Sequence, residues 1–206
     1  LSSFYSFLLF FVTIYQVIFM LEYISKLSAL YLSKRKVIKK EDLNIYTYGF
    51  ELLYSTLFIV NTIIIIGFVF RTPITSFIFL LYFYPIRLYS GGYHCSTYLR
   101  CYLCTNCIFI MVLLLINILP DSNYSFLCIF LPILSTIYLL LNAPVINKNQ
   151  PLSKIQLKKN KKKMTIILII ECFIILFLFS FGVTSKIILT ASLTMGIVAY
   201  MVKITD

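Results

Sequence analysis

The sequence predicts an all-α integral membrane protein with about six transmembrane helices, an N-terminal interfacial or additional helix, and one re-entrant or irregular loop. The composition is the first reason. Of 206 residues, 61% are hydrophobic and only 12% are charged, and the mean hydropathy is +0.96. Soluble domains are about half apolar and about a quarter charged, and disordered chains contain still fewer apolar residues. The composition therefore excludes a water-soluble globular domain and a disordered chain.

The second reason is the length of the apolar runs. A helix needs roughly 20 apolar residues to cross a bilayer. After the N-terminal region, apolar runs cover 49–70, 73–86, 102–119, 124–142, 164–181 and 183–202. The 73–86 run is too short by itself, so it continues through Arg87 to Tyr89, or tilts, or is partly re-entrant. Six helices use nearly the whole chain and leave no room for a separate extramembrane domain.

The third reason is the placement of basic residues, which also predicts the orientation. The chain has 18 Lys and Arg residues against 7 Asp and Glu residues. With six spans and cytoplasmic termini, 15 of the 18 basic residues fall on the cytoplasmic side, as the positive-inside rule requires. Arg71 and Lys186 fall on the other side, and Lys26, which belongs to the N-terminal region, completes the 18. The dense run Lys158–Lys163 is most simply a segment that binds anionic lipids, and an acidic-peptide docking surface is its functional alternative.

The N-terminal region contains an apolar run at 4–21, followed by a segment with amphipathic spacing. Five apolar side chains of this segment share one helix face: Leu21, Ile24, Leu27, Leu30 and Tyr31. This pattern predicts an interfacial amphipathic helix over 20–33. We expect Met20 to be the natural start. The predicted division is then an apolar extension over 1–19, whose role the sequence leaves open, and a single membrane domain over 20–206.

The segment from Arg87 to Cys101 is the most unusual in the chain. It contains the only His, His94, the only Gly-Gly pair, Gly91-Gly92, and two cysteines. A cysteine nucleophile needs a base within hydrogen-bond reach, and histidine is the side chain that titrates near neutral pH. On one continuous helix, His94 and Cys101, seven positions apart, would be separated by about 10.5 Å along the helix axis. His94 must therefore lie in non-helical backbone that folds back over the next helix, and Gly91-Gly92 gives the required freedom.

Other interpretations of this region stay open. A lone His that bridges helices, with an ordinary Gly turn, is the structural alternative. Cys101, Cys104 and Cys107 form a C-x2-C-x2-C run that invites a metal or redox interpretation, but the fourth Cys and the Pro of the iron–sulfur signature are missing. On a helix, these thiols can instead act as small apolar side chains. A metal or redox protein and a small transporter without catalysis are therefore the alternative functions.

Two acidic residues interrupt apolar runs, where ionisable groups are costly and are functional candidates. Glu51 lies near the cytoplasmic start of its span, at about the depth predicted for Arg87 and His94. It can pair with Arg87, orient His94, or act as a helix-start carboxylate. Glu171 lies about two turns into its span, so its side chain must face protein or water.

With these residues in view, the chain resembles the accessory gene regulator B (AgrB) family. These membrane endopeptidases mature quorum-sensing peptides in Gram-positive bacteria. The likeness rests on Arg87 seven residues before His94, on Cys101 seven residues after it, and on Gly91-Gly92 just upstream. One departure is Cys95, which follows the His where the family has Ala.

A second part of the likeness follows the fourth span. The segment Asn142-Ala-Pro-Val, then Lys148 and Pro151-Leu152 before a basic run, resembles the Ala-Pro and Lys-Pro segment of the family. Glu51 also fits an acidic position of the family. Several motifs in the same order make the likeness cover roughly 20–206.

The resemblance implies a cysteine endopeptidase that removes the acidic C-terminal tail of a small AgrD-type precursor peptide. Cys101 is then the nucleophile and His94 the general base, and an acyl-thioester on Cys101 passes on to a thiolactone or lactone ring. The supporting or substrate-binding residues are Arg87, Gly91, Gly92, Glu51 and Lys148. The unranked candidates for a third catalytic residue are Glu51, Ser90 and Ser96.

The resemblance and the charge pattern together imply the setting of this activity. They predict a homodimer in the bacterial cell membrane, with both termini and the catalytic loop at the cytoplasmic side. The expected partners are the precursor peptide and anionic membrane lipids. No cofactor, metal or nucleic-acid partner is expected.

Overall fold

The structure, a computed structural model, describes residues 20–91, 97–119, 124–145, 153–182 and 186–204. These residues form seven α-helices. The helices are α1 (20–34), α2 (Leu43–Val69), α3 (Pro73–Ser90), α4 (Tyr98–Ile118), α5 (Tyr124–Asn142), α6 (Lys154–Ser180) and α7 (Lys186–Lys203). A short 3-10 turn, Lys40–Asp42, precedes α2. Within the described residues the only strand-like pairing is an isolated bridge, so the predicted all-α class is confirmed.

Five helices of the described chain, α2 and α4 to α7, are long and apolar enough to cross a membrane. They confirm the predicted membrane class. The short 73–86 run is α3, which continues through Arg87 to Ser90 and so has 18 residues. It does not count among the five, although the sequence predicts about six spans, because Ser, Thr, Tyr and Arg87 lower its mean hydropathy. Three helices also begin before their apolar runs, since their first turns are polar.

The described residues form two compact units. The first contains residues 20–62 and 97–103. In this unit, α1 packs through Leu21 and small buried residues, and its Ser28 hydroxyl shares a 2.9 Å hydrogen bond with the Tyr54 hydroxyl of α2. Leu21 therefore lies on the packed side of α1, not with Ile24 and Tyr31, which stay exposed. The predicted N-terminal helix is confirmed, and its interfacial position stays a prediction.

The second unit contains the remaining described residues and is built around α7, which packs on α3, α5 and α6. Every residue of α7 from Ile188 to Met195 is buried. Small residues let neighbouring helices approach closely in a membrane. Gly196 shows this directly, because a Cβ built there would lie 2.9 Å from a methyl group of Leu131 on α5. The buried hydroxyls of α7 donate to carbonyls one turn earlier, as in the 2.7 Å bond from Thr194 to Thr190.

Contacts within the second unit identify its two ends. At one end, the Val145 amide donates to the Ser90 carbonyl over 3.0 Å, and Lys163 of α6 lies over the Tyr89 ring. At the other end, the Lys186 ammonium donates to the Asn117 amide oxygen over 3.1 Å. Within this unit, the ends of α3 and α5 thus lie with the basic part of α6, and the end of α4 lies with the start of α7. The predicted boundaries, 1–19 and 20–206, stay a prediction.

Candidate functional site

Cys101 lies in the first turn of α4. Thr97 caps this helix, because its hydroxyl accepts the Arg100 amide over 3.3 Å and its carbonyl accepts the Cys101 amide over 3.1 Å. The Cys101 side chain is half-buried. The N-terminal end of a helix stabilises negative charge, so this position suits a thiolate. Because α4 begins only at Tyr98, no continuous helix joins position 94 to Cys101, which agrees with the break that the spacing predicts.

Two side-chain contacts join α4 to α2 on either side of Cys101. The Tyr98 hydroxyl donates to Glu51 Oε2 over 2.9 Å. One turn further along α4, the Tyr102 ring stacks on Phe58, with ring centroids 5.1 Å apart. The first turn of α4 is therefore held against α2 by one polar and one aromatic contact.

The Glu51 carboxylate has a partner that the sequence interpretation does not include. That interpretation pairs Glu51 with Arg87, lets it orient His94 or makes it a helix-start carboxylate, and these roles stay predictions. The described contact of Glu51 is with the Tyr98 hydroxyl. Glu51 is half-buried, and Glu22 of α1 and Tyr48 of α2 also act electrostatically on Tyr98. The carboxylate thus belongs to a polar cluster one turn from Cys101.

The end of α3 is shaped by Gly91. Its φ of 66° and ψ of −137° form a backbone conformation that residues with a Cβ rarely adopt. A Cβ at this position would overlap the Val145 carbonyl oxygen, and a parallel bridge joins the two residues. The Arg87 guanidinium donates to the Gly91 carbonyl over 3.3 Å. Arg87 and Gly91, predicted separately, therefore act together where α3 ends.

The same contact brings together the two halves of the family resemblance within the second unit. Val145 closes the Asn142-Ala-Pro-Val segment, and its amide reaches the Ser90 carbonyl. Lys163 lies 5.2 Å from the centroid of the Tyr89 ring, which brings the basic start of α6 to the same end of the unit. The described lysines of α6 are exposed: Lys154, Lys158, Lys159, Lys161, Lys162 and Lys163.

Several predicted residues lie outside the described residues. They are Gly92, His94, Cys95, Ser96 and Lys148. Their roles stay predictions. Of the predicted residues inside the described ranges, the structure pairs Arg87 with Gly91 and sets Glu51 one turn from Cys101 through Tyr98.

The cysteines of the C-x2-C-x2-C run all lie on α4. Cys101 and Cys104 are half-buried and Cys107 is exposed. Each of the five described cysteines is free of disulfide bonds. No group of three His, Cys, Asp or Glu side chains in the described ranges is arranged to hold a metal ion. Among the described residues, the thiols of this run therefore do not form part of a metal-binding cluster.

Glu171 lies in the packed interior of the second unit. Its side chain is 7% exposed, and Oε2 has no hydrogen-bond partner among the described residues. Tyr82 of α3 interacts electrostatically with Glu171. The sequence predicts that the Glu171 side chain faces protein or water, and in the structure it faces protein.

Tyr98, Tyr102 and Phe58 are the residues of this region that the sequence interpretation misses. A signal does exist. Tyr98 and Tyr102 are one turn apart and so share a helix face, and Glu51 and Phe58 are two turns apart on α2. What the spacing cannot supply is that these two faces meet.

The comparison with known proteins agrees with the motifs. The sequence profile of the family described as Accessory gene regulator B matches residues 24–204. An AgrB-like protein of Clostridium beijerinckii is 30% identical over 166 residues, which cover 78% of this chain and 79% of that protein. AgrB-like protein 2 of Clostridium perfringens strain 13 is 32% identical over 173 residues, covering 79% and 81%. An AgrB-like protein of C. perfringens strain SM101 is 28% identical over 196 residues, covering 90% and 92%.

No solved structure matches the chain. The profile match contains Glu51, Arg87, Gly91 and Cys101, together with every described helix from α2 to α7. The resemblance seen in the motifs is thus confirmed over most of the sequence. The chain belongs to the accessory gene regulator B family.

Proposed function

We propose that this chain is a membrane cysteine endopeptidase that removes the acidic tail of a small AgrD-type precursor and passes the signal segment on to a ring. Membership of the family supports a role in the maturation of quorum-sensing peptides and a link to an AgrD-like precursor. The observation that carries the proposal is the position of Cys101. This half-buried thiol lies in the first turn of a helix that begins shortly after position 94.

The chain connection allows His94 to serve this thiol. Thr97, which caps α4, lies one turn from Cys101, and position 94 precedes it by only three positions. Three extended residues span at most about 11 Å, and a folded segment spans less. A connection this short is compatible with contact between an imidazole at position 94 and the Cys101 sulfur, and Thr97 interrupts the continuous helix that would keep the two side chains apart.

In the first chemical step, His94 takes the thiol proton and the Cys101 sulfur attacks the carbonyl carbon that precedes the tail. A carbon–sulfur bond forms, and the peptide C–N bond then breaks. His94 returns its proton to the leaving amine, and the tail departs. The signal segment remains as an acyl-thioester on Cys101.

In the second step, a Cys thiol or Ser hydroxyl inside the bound segment attacks the thioester carbonyl. The carbon–sulfur bond to Cys101 breaks, a thiolactone or lactone ring forms, and the proton of the attacking group restores the Cys101 thiol. Exchange of one thioester for another is nearly isoenergetic, so ring closure by a Cys needs no separate energy source. Cys101 is thereby ready for another precursor.

The basic part of α6, at the end of the second unit that contains Gly91, is the proposed receptor of the acidic tail. Six lysines of α6 are exposed, and one of them, Lys163, lies over the Tyr89 ring near the end of α3. Complementary charge steers binding and sets register more than it adds affinity. We assign this basic surface to the tail, and Lys148 to the same role. The 15-to-2 distribution of basic charge assigns it to the cytoplasmic side, and a homodimer is proposed by family analogy.

The decisive experiment compares cysteine variants co-expressed with an AgrD-type precursor that the unaltered chain processes. Cys101→Ser and Cys101→Ala are expected to lose tail cleavage by at least about a thousandfold, because nucleophile and base act as a unit. Cys95→Ser and Cys107→Ser are matched controls and should retain cleavage. Mass spectrometry of the precursor and its fragments measures the result. Full processing by Cys101→Ser would disprove the proposal. Loss of cleavage in Cys95→Ser alone would identify Cys95 as the nucleophile.

A further inference from the structure

The first turn of α4 is anchored to α2 at two points around Cys101. Tyr98 donates to Glu51 Oε2 over 2.9 Å, and Tyr102 stacks on Phe58 at 5.1 Å. Glu51 and Phe58 are two turns apart on α2, while Tyr98 and Tyr102 are one turn apart on α4. Both pairs progress in the same direction along the two helices, so the contact is a parallel seam.

Helix geometry fixes where Cys101 lies relative to this seam. At about 100° per residue, Tyr98 and Tyr102 point about 40° apart, and Cys101 lies about 60° to the other side of Tyr98. Cys101 is also about 4.5 Å further along the axis than Tyr98. The thiol therefore projects from the edge of the seam, and Tyr98 is the seam residue nearest to it in angle.

Backbone hydrogen bonds also hold this turn. Thr97 satisfies the Arg100 and Cys101 amides, but the first turn of a helix lacks the full set of backbone bonds that the interior has. The stacked pair of Tyr102 and Phe58 lies on the C-terminal side of Cys101. The bond from Tyr98 to Glu51 is the described side-chain contact that holds the turn on the N-terminal side of the thiol.

We propose that Tyr98 is a positioning residue for the Cys101 thiol, and that Glu51 acts by accepting the Tyr98 hydroxyl. This inference rests on the proposed function of Cys101 as the nucleophile. The bond is charge-assisted, and such bonds are shorter and stronger than neutral ones. Its role is to fix the position of the Cys101 thiol along the α4 axis and its angle around that axis. The geometry for attack then exists before the precursor binds.

This role predicts different results for Glu51 variants, depending on whether Glu51 acts as a hydrogen-bond acceptor or through its negative charge. A Gln at position 51 still offers a carbonyl oxygen to the Tyr98 hydroxyl, whereas a Leu offers none. If Glu51 acts as an acceptor, Glu51→Gln retains most of the cleavage rate. If its charge orients His94 or pairs with a cation, Glu51→Gln fails as completely as Glu51→Leu.

Hydrogen exchange of the α4 amides is the first measurement, on the full chain in lipid nanodiscs. We expect Tyr98→Phe and Glu51→Leu to speed exchange of the Arg100 and Cys101 amides about five- to tenfold, the effect of losing one hydrogen bond. Glu51→Gln should stay within about twofold, because a neutral acceptor keeps the bond. The matched controls are Tyr46→Phe and Glu41→Gln, which alter exposed side chains of the same unit.

Cleavage of the same AgrD-type precursor is the second measurement. Tyr98→Phe and Glu51→Leu should lower kcat about tenfold with little change in KM, since a displaced nucleophile impairs the chemical step and leaves precursor binding intact. The double variant should be no worse than either single variant, because both remove one bond. Glu51→Gln should retain at least about a third of kcat, in line with a weaker neutral bond.

Two results would overturn the inference: unchanged exchange in Tyr98→Phe, or equal loss of kcat in Glu51→Gln and Glu51→Leu. If Tyr98→Phe does not fold, the comparison of the two Glu51 variants still decides between acceptor and charge. Failure of the proposed function has a different signature. In that case Cys101→Ser processes the precursor, while the exchange experiment continues to report whether Tyr98 holds the first turn of α4.

Discussion

The region around Cys101 and the bundle around α7 are held together in different ways. Of the apolar window in α7, 67% of residues are buried inside the protein, against 17% for the span that contains α2. In the bundle, a continuous run of α7 is buried, whereas two described side-chain pairs join α2 to α4 in the seam. Substitutions in the bundle should therefore change stability first, and substitutions near Cys101 should change chemistry first.

Among variants that leave Cys101 in place, Gly91→Ala should have the largest effect, because this residue links the end of α3 to Val145. An added Cβ overlaps the Val145 carbonyl, and the backbone conformation costs about 1–3 kcal/mol for a residue with a Cβ. We expect a loss of precursor processing of about a hundredfold, the cost of a misplacement of about 1 Å. Gly182→Ala is the control, since its φ is also positive but no atom lies within 4 Å. Normal processing by Gly91→Ala would show that this link does not position the catalytic loop.

Gly196→Leu tests the bundle directly. The larger side chain must displace Leu131, and overpacking typically costs about 1–3 kcal/mol. Thermal unfolding in detergent should show a lower Tm, with processing per folded molecule retained. The paired variant Gly196→Leu with Leu131→Ala should recover part of the loss by exchanging large and small residues. No recovery would mean that α5 and α7 do not meet at these positions.

Glu171→Leu tests whether the buried carboxyl belongs to the bundle or to the chemistry. An unpartnered buried polar atom costs about 1–3 kcal/mol, so an apolar side chain of similar size should leave stability unchanged or raise it. Processing should stay normal in both Glu171→Leu and Glu171→Gln. If Glu171→Gln folds normally but processes the precursor poorly, then the bundle contributes to the chemistry as well as to stability.

Ser153→Ala should have the smallest effect. Ser153 and Gln156 form a capping box at the start of α6, and loss of such a cap costs about 1 kcal/mol. We expect a small drop in Tm and faster hydrogen exchange confined to the first turn of α6. A large loss of processing would mean that the basic turns of α6 need a fixed orientation to receive the acidic tail.

Much of the candidate site could be predicted from residue spacing. The seven-position spacing of His94 and Cys101 requires a break in the helix, and α4 indeed begins within that interval, at Tyr98. Arg87 and Gly91 could be selected as unusual residues, but their mutual bond could not. Tyr98 was missed because its role depends on Glu51, 47 residues away in the chain. Spacing within one helix shows which side chains share a face, and it does not show which neighbouring helix that face meets.

The sequence by itself determined the membrane class, the helical spans and the break before Cys101, because these depend on the length and polarity of local segments. Tertiary structure alone decided that α7 lies at the centre of the second unit, that Gly91 meets Val145, and that Tyr98 reaches Glu51. The physical reason is the solvent. Lipid tails are as apolar as the interior of the bundle, so the lipid-facing and protein-facing sides of a span have similar side chains, and only the packing of small residues separates them.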